Sequence, residues 1–220
     1  MIDSNEQLMQ ELKSLGYIKT QRIEDAFLII DRKMFVPEKE HAAAYVNEPL
    51  ALGYQQTISQ PLVVAFMLEL LEVRPGEKIL EIGTGSGWQT ALLSYLACDR
   101  VVDGEGLLEK IISVVSLERI HELHEQAKQN IERYPVIAQT VLLLEQDGMK
   151  GCSEQGVYDK IICGASARHA IPQAWKDQLK IGGRIVAPIG KNIVVLDKKA
   201  KDDFSQREFF GYSFVPLVES

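Results

Sequence analysis

Two stretches of this chain combine residue types and spacings that could do chemistry. In the first, Thr57-Ile58-Ser59-Gln60-Pro61, two hydroxyls stand two residues apart ahead of the apolar run Leu62 to Leu71. Proline suits the first helical position, where a missing N–H costs nothing. Thr57 and Ser59 would then lie just outside a helix N-terminus, where free backbone N–H groups and the helix dipole favour an anion. The same pattern also fits Ser59 or Gln60 as a plain helix cap, and pattern alone does not separate the two.

The second stretch runs from Lys78 to Gln89. A short apolar run behind the Pro75-Gly76 turn meets Gly83-Thr84-Gly85-Ser86-Gly87, then continues into the helix-like Thr90 to Leu96. Strand, glycine turn and helix in that order form a nucleotide-binding crossover. Glycines let the backbone turn tightly and approach a ligand where a Cβ would clash. The spacing is Gly-x-Gly-x-Gly, not the Gly-x-Gly-x-x-Gly of dinucleotide enzymes. With Glu81 two residues before the first glycine, it points to S-adenosylmethionine more than to NAD.

Such a crossover calls for an acid at the end of the second strand, about 20 residues on, to bind ribose hydroxyls. Asp103 lies at that distance. Glu118 ends the longer and more β-branched run Ile111 to Glu118, which leads into a charged helix, so we assign the role to Glu118. Asp103 then belongs to a surface insertion or extended loop, 98–110. The third strand, Thr140 to Glu145, leads to Asp147-Gly148. An acid there can accept from an adenine amino group, although Asp-Gly is also an ordinary turn.

The elements that must hold these residues follow from periodicity. Leu8, Leu12 and Leu15 mark a helix over residues 4–15 that stops at Gly16. A second helix is expected from Arg22 to Asp31, a short helix or turn at His41 to Tyr45, and irregular chain from Asn47 to Pro61. The charged helix should run from Arg119 to Tyr134. Tyr158 to Ala165 reads as a fourth strand with its loop, Ile171 to Leu179 as a helix, Gly182-Gly183 as a turn, and Arg184 to Ile189 as a fifth strand. Asn192 to Asp197 and Glu208 to Leu217 read as two closing strands around a polar hairpin, Lys198 to Gln206. The expected fold class is α/β: a doubly wound, Rossmann-like sheet, mostly parallel with an antiparallel end, plus an N-terminal helical layer.

The 220 residues suggest a single domain, with N-terminal helices and substrate loop over 1–60 and the Rossmann-like core and C-terminal strands over 61–220. The net charge of -7 disfavours nucleic acid as a partner. Three cysteines without Cys-x-x-Cys argue against a disulfide framework or zinc site and for a reducing compartment. No apolar run reaches the ~18 residues of a membrane span, and the N-terminus lacks a signal-peptide pattern. A cytoplasmic monomer without a metal is expected.

Together these residues resemble the protein-L-isoaspartate (D-aspartate) O-methyltransferase family. The likeness covers nearly the whole chain. It rests on Asp31-Arg32-x-x-Phe35-Val36-Pro37, Tyr45-x-Asn47-x-Pro49-Leu50, Thr57 to Pro61, Leu80 to Gly87, Glu118-Arg119-Ile120-x-Glu122-Leu123, Asp147-Gly148-x-x-Gly151, Gln178-Leu179-x-x-Gly182-Gly183 and Phe214-Val215-Pro216-Leu217. The glycine loop is shared by many methyltransferases; the Thr-Ile-Ser-x-Pro block and the Val-Pro-Leu ending are more specific to this family.

The resemblance implies S-adenosyl-L-methionine as cofactor and the free α-carboxylate of an L-isoaspartyl residue in a damaged protein as methyl acceptor. It implies that Ser59, with Thr57 and the backbone around Ile58, holds that carboxylate, and that Val215 lies near the peptide. Glu81, Gly83, Thr84 and Gly85 would serve the methionine part, Glu118 the ribose, and Asp147 with Gly148 the adenine. The chain departs from the family pattern at Cys163-Gly164-Ala165-Ser166, where Val-Thr-Ala-Ala is frequent, at Asn47 and at Gln55.

A carboxylate acceptor has a pKa near ~4 and is ionised at neutral pH, so it needs no general base. It needs positioning and loss of its water shell, which hydroxyl and backbone donors can provide. Ser59 is thus a candidate catalytic residue as an orienting donor, not as a nucleophile. Other acceptors, RNA or a small molecule, fit less well: the chain lacks Asn/Asp-Pro-Pro-Tyr/Phe and Pro-Cys motifs. A non-catalytic binder of the same fold is the remaining alternative. His121 and His124 read as a solvated helix surface and Cys163 as a core residue.

Overall fold

The computed structural model describes residues 2–98 and 112–218. The insertion expected at 98–110, apart from Cys98, lies outside them, as do Asp103 and Ile111.

The chain begins with α1 (Asn5–Ser14), whose N-cap Ser4 accepts from the Gln7 N–H and whose Leu8, Met9 and Leu12 are buried. Next comes α2 (Gln21–Ile29), burying Ile23, Ala26 and Phe27. Short 3₁₀ helices cover Arg32–Phe35 and Glu38–Ala43. The stretch expected to be irregular forms a hairpin instead, β1 (Leu50–Gly53) against β2 (Gln56–Ile58). Its two-residue tip, Tyr54-Gln55, has φ +53 and +59. That conformation normally advertises itself as Asn-Gly or Asp-Gly, so the residue types gave no turn signal.

After the hairpin, α3 (Pro61–Leu71) starts on Pro61 and ends at Glu72 with φ +54. The crossover follows as β3 (Ile79–Ile82) and α4 (Trp88–Ala97). Then come β4 (Val114–Glu118), α5 (His121–Glu132) and α6 (Pro135–Thr140). The charged helix expected from Arg119 to Tyr134 is α5; the short α6, which Pro135 opens at its first position, was not expected. β5 (Val141–Glu145), β6 (Tyr158–Cys163) and α7 (Gln173–Gln178) precede the closing strands β7 (Leu179–Ile189), β8 (Asn192–Ala200) and β9 (Asp203–Phe210).

Two expectations near the end fail. Gly182-Gly183 is not a turn between helix and strand; it lies inside β7, where the pairing with β6 shifts register between Tyr158 and Lys160. Gly182 has φ +83, and a Cβ on Gly183 would sit 2.7 Å from the Asp159 carbonyl oxygen, so the glycines make a bulge and a close approach. The last strand is Asp203–Phe210, not Glu208 to Leu217. The polar run read as a hairpin loop is mostly strand, because β9 is an outer, exposed strand with little to bury.

The described residues form a seven-stranded sheet in the order β5-β4-β3-β6-β7-β8-β9. Neighbours are parallel from β5 through β7 and antiparallel across β7-β8-β9. All four residues of β3 are buried. Its Ile79 packs with α1 to α4 on one face, and Leu80 and Ile82 pack with Trp175 of α7 on the other. The order in which strands are added to the sheet reverses at β3, since β4 and β5 lie on one flank of it and β6 and β7 on the other. The carboxyl ends of strands at such a switch point form the usual ligand crevice of open α/β sheets.

Candidate cofactor and acceptor site

Gly83, Gly85 and Gly87 all have positive φ, at +86, +56 and +86. A Cβ at Gly83 would meet nothing within 4 Å, and one at Gly85 only Leu52 Cδ1 at 3.8 Å, so open space lies over the first two glycines. A Cβ at Gly87 would press on Ile131 and Ala127 at 3.1–3.3 Å. The first two glycines therefore give room for a ligand, and the third lets α4 pack on α5.

The loop rests on a buried polar network. The Glu81 carboxylate is wholly buried. It accepts from Gln89 Nε2 (3.0 Å), Thr90 Oγ1 (2.5 Å) and Ser116 Oγ (2.7 Å). Ser116 Oγ in turn lies 2.6 Å from Thr84 Oγ1. Glu81 thus sits beneath the glycine loop and does not line the cleft above it, unlike Gly83, Thr84 and Gly85. Burial pushes its pKa up to about 7, against the pull of the three hydrogen bonds.

The consequence for stability has a definite sign. Because the folded-state pKa is raised, Glu81's stabilising share is complete below about pH 4.5 and is lost as pH rises through about 7. A Glu81→Gln variant should show a flatter loss of stability than the parent between about pH 5 and 7.5, measured by thermal melts. An unchanged slope would place the titration elsewhere.

Glu118, at the carboxyl end of β4, is 6% exposed and lines the cleft. One carboxylate oxygen accepts from the Gly85 N–H (3.0 Å) and the other from the Ile120 N–H (2.9 Å). A carboxylate offers about four lone-pair positions, so each oxygen keeps one for a ligand. Asp147 accepts from the Met149 N–H and caps the 3₁₀ turn that follows β5. The adjacent Gln146 N–H donates to the Glu118 carbonyl, which sets this turn beside β4 at the same end of the sheet. Gly148 is locked by packing: a Cβ there would lie 2.4 Å from Ile82 Cγ2, and its carbonyl accepts from the Trp175 indole (2.8 Å). Asp147 and Gly148 do not line the cleft over the glycine loop.

Thr57, Ile58 and Ser59 form the opposite wall of that cleft, with Gly164, Ala165 and Val215. Thr57 is exposed, Ser59 half-buried and Ile58 buried. Among the described residues, neither hydroxyl has a hydrogen-bond partner within the chain. Of the two residues that the pattern offers as a helix cap, Gln60 occupies the N-cap position, without a side-chain cap bond. The Leu62 N–H donates to Asn47 Oδ1 (3.0 Å), and the Val63 and Val64 N–H groups donate to the Gln60 carbonyl. The α3 terminus is therefore already capped, and Ser59 does not cap it. Asn47 and Gln60 are also joined by Gln60 Nε2 donating to the Asn47 carbonyl (2.8 Å).

Arg32 stands in the Asp31-Arg32-x-x-Phe35 motif, and no local pattern assigns it a role. It is completely buried. Its Nη1 donates to the carbonyls of Ala44 (2.7 Å) and Val46 (3.1 Å), and its Nη2 to those of Glu48 (2.8 Å) and Ser59 (3.2 Å). The guanidinium carbon lies 5.4 Å from the Trp88 ring centre. Glu48 and Ser59 flank the β1–β2 hairpin, so one side chain ties its base. Two-stranded hairpins are marginal alone, which makes such a tie structurally important. An arginine that follows an acid and precedes an apolar run is the only local trace of this role.

The departures at the end of β6 also find a reason. A Cβ at Gly164 would stand 3.3 Å from the Gly83 carbonyl oxygen, and the Gly164 N–H donates to the Ile82 carbonyl. Buried Cys163 donates its thiol to the Ala165 carbonyl, and burial pushes its pKa up to about 12, so it stays a thiol. Ser166 pairs with the returning tail: its N–H donates to the Val215 carbonyl (2.8 Å) and its carbonyl accepts from Leu217 (2.8 Å). A second, larger groove opens on the far side of this wall. Thr57, Ser59, Gly164 and Val215 line both spaces.

The sequence profile of the family described as Protein-L-isoaspartate(D-aspartate) O-methyltransferase (PCMT) matches residues 3–220. A protein-L-isoaspartate O-methyltransferase of Methanopyrus kandleri is 38% identical over 219 residues, covering 98% of this chain and 91% of that protein. One of Dictyoglomus turgidum is 42% identical over 213 residues, covering 96% and 89%. A solved Plasmodium falciparum structure, described as a protein-L-isoaspartate O-methyltransferase in complex with S-adenosyl-L-homocysteine, superposes with a TM-score of 0.83, at 23% identity and full coverage of both chains. A second structure described as a protein-L-isoaspartate O-methyltransferase gives 0.82 at 28% identity, covering 98% of this chain and 66% of that one.

Proposed function

The chain belongs to the protein-L-isoaspartate(D-aspartate) O-methyltransferase family, and we infer that it methylates the free α-carboxylate of L-isoaspartyl residues in damaged proteins. The observation that carries this reading is the shared wall. Thr57 and Ser59 face the cleft over the glycine loop on one side and a peptide-sized groove on the other.

The residues present fit S-adenosylmethionine: glycines with open space above them, and a buried carboxylate with a free lone pair on each oxygen. When bound, the cofactor supplies an electrophilic methyl on a sulfonium. Gly83, Thr84 and Gly85 would border its methionine part, Glu118 its ribose, and Asp147 with Gly148 its adenine, while Glu81 supports the loop from below. Thr57, Ser59 and the Ile58 backbone would orient the acceptor carboxylate, with Val215 beside the peptide. An oxygen of that carboxylate forms the new O–CH3 bond as the S–CH3 bond breaks, and no proton is transferred. Uncharged donors suit this step, because a cation bound directly to the carboxylate would stabilise the ground state as charge is being neutralised.

We read residues 1–220 as a single domain, since one buried cluster runs from Leu8 to Val195. The net charge of -7 supports a partner other than nucleic acid. Among the described residues no helix is long and apolar enough to cross a membrane. The buried thiols Cys152 and Cys163 support a cytoplasmic setting.

The direct test is methyl incorporation into a synthetic isoaspartyl peptide beside its aspartyl twin; equal labelling, or none, overturns the reading. Ser59→Ala should lower kcat/KM for the isoaspartyl peptide about 10- to 100-fold, the worth of one donor to a charged group. Calorimetry should show S-adenosylhomocysteine affinity within about threefold of the parent. An unchanged rate would reduce Ser59 to part of the turn before α3.

A further inference from the structure

The second groove is lined by an aromatic wall, and among the described residues its lining carries no side chain charged at neutral pH. Phe210, at the end of β9, is 77% exposed, the most of any large apolar side chain among the described residues. Tyr212 stacks on Phe66 with centroids 5.5 Å apart and planes 16° apart. Phe66 is held edge-on by Tyr17 at 5.8 Å and by Phe209 at 5.2 Å. Tyr17, Phe210, Tyr212 and Phe214 all face the groove. Its far wall is Thr57, Ser59, Gly164 and Val215, the same residues that border the cofactor cleft. The groove is thus continuous with the acceptor position, and its apolar face is partly set in advance by ring packing.

We propose that this groove is a specificity subsite that takes an aromatic or large apolar side chain directly adjacent to the isoaspartyl residue. The inference rests on the acceptor assigned above and adds what surrounds it. A ring laid on Phe210 and Tyr212 gains burial and aromatic contact. A charged neighbour would lose water there with no opposite charge to meet it. The occupant is a stretch of the substrate because the groove opens on Ser59; an unrelated partner or a second copy would block the acceptor position.

The test uses short isoaspartyl peptides with phenylalanine, glycine or glutamate immediately before or immediately after the isoaspartyl residue. Each is assayed for turnover, and for binding to the S-adenosylhomocysteine-loaded protein by fluorescence anisotropy. We expect phenylalanine to be favoured over glycine by about tenfold on at least one side, and glutamate to be disfavoured. In Phe210→Ala and Tyr212→Ala the phenylalanine-to-glycine ratio should fall towards one, a ratio that general loss of stability does not move. A parent ratio near one, or a preference that survives both substitutions, overturns the proposal. So does a concentration-dependent dimer that Phe210→Ala dissolves. Turnover without selectivity would remove the subsite and leave the repair activity standing. Selective binding that Phe210→Ala erases, with no turnover of any peptide, would leave the groove and remove the activity.

Discussion

Glu118→Gln is expected to weaken S-adenosylhomocysteine binding by about 100-fold or more, read by calorimetry, and to weaken the methyl donor alike. Parallel pairing of Ile82 with Leu117 puts Glu118 one residue past the β3–β4 pairing, beside Gly83. There its carboxylate accepts from Gly85 and Ile120 N–H groups. An amide has a single acceptor oxygen, so one of these N–H groups would face an NH2 donor. The ribose would also lose hydrogen bonds to a charged acceptor, each worth roughly 1.5–3 kcal/mol, and 1.4 kcal/mol is a factor of ten. Binding within about threefold of the parent would mean that the ribose is held elsewhere. Unlike Ser59→Ala, this change should impair cofactor and peptide turnover together.

Arg32→Met should cost on the order of 3 kcal/mol of folding stability, seen as a melting temperature lower by about 6–12 °C for a chain of this size. Two effects compete. A buried guanidinium pays heavily for lost water, and burial lowers its pKa with no carboxylate to oppose it. Methionine relieves that cost. It also strips donors from the carbonyls of Ala44, Val46, Glu48 and Ser59, which backbone geometry keeps in place. Replacing a buried charge is harmless when its partners can be replaced too; carbonyls cannot be. The loss of donors therefore wins. With the hairpin base released, the KM for isoaspartyl peptide should rise more than the Kd for S-adenosylhomocysteine, because the glycine loop rests on Glu81 and Ser116 instead. A variant as stable as the parent would show that water satisfies those carbonyls. Arg32→Lys, with a compact ammonium in place of the fork, should fall between the two.

The errors of sequence reading have physical causes. The β1–β2 hairpin was hidden because Tyr54 and Gln55 hold positive φ without being glycine or asparagine. The end of the chain was misread because β9 is exposed on an outer strand, where burial imposes little alternation. The bulge at Gly182-Gly183 looks locally like a turn; only the approach of the Asp159 carbonyl makes it part of a strand. The α3 terminus looked open to an anion until Asn47, 15 residues upstream, proved to hold the Leu62 N–H.

The sequence alone determined the crossover, the glycine loop, the α/β class, the cofactor preference and the family, because these rest on short-range spacing, periodicity and motifs within a few turns of chain. The tertiary structure decided what the motifs do together. It set Glu81 beneath the loop, closed the start of α3 with Asn47, clamped the hairpin through Arg32, and brought Thr57 and Ser59 against Gly164 and Val215. Those meetings join residues tens to more than a hundred positions apart. They depend on strand order and on which buried polar groups find partners, quantities that no local pattern contains.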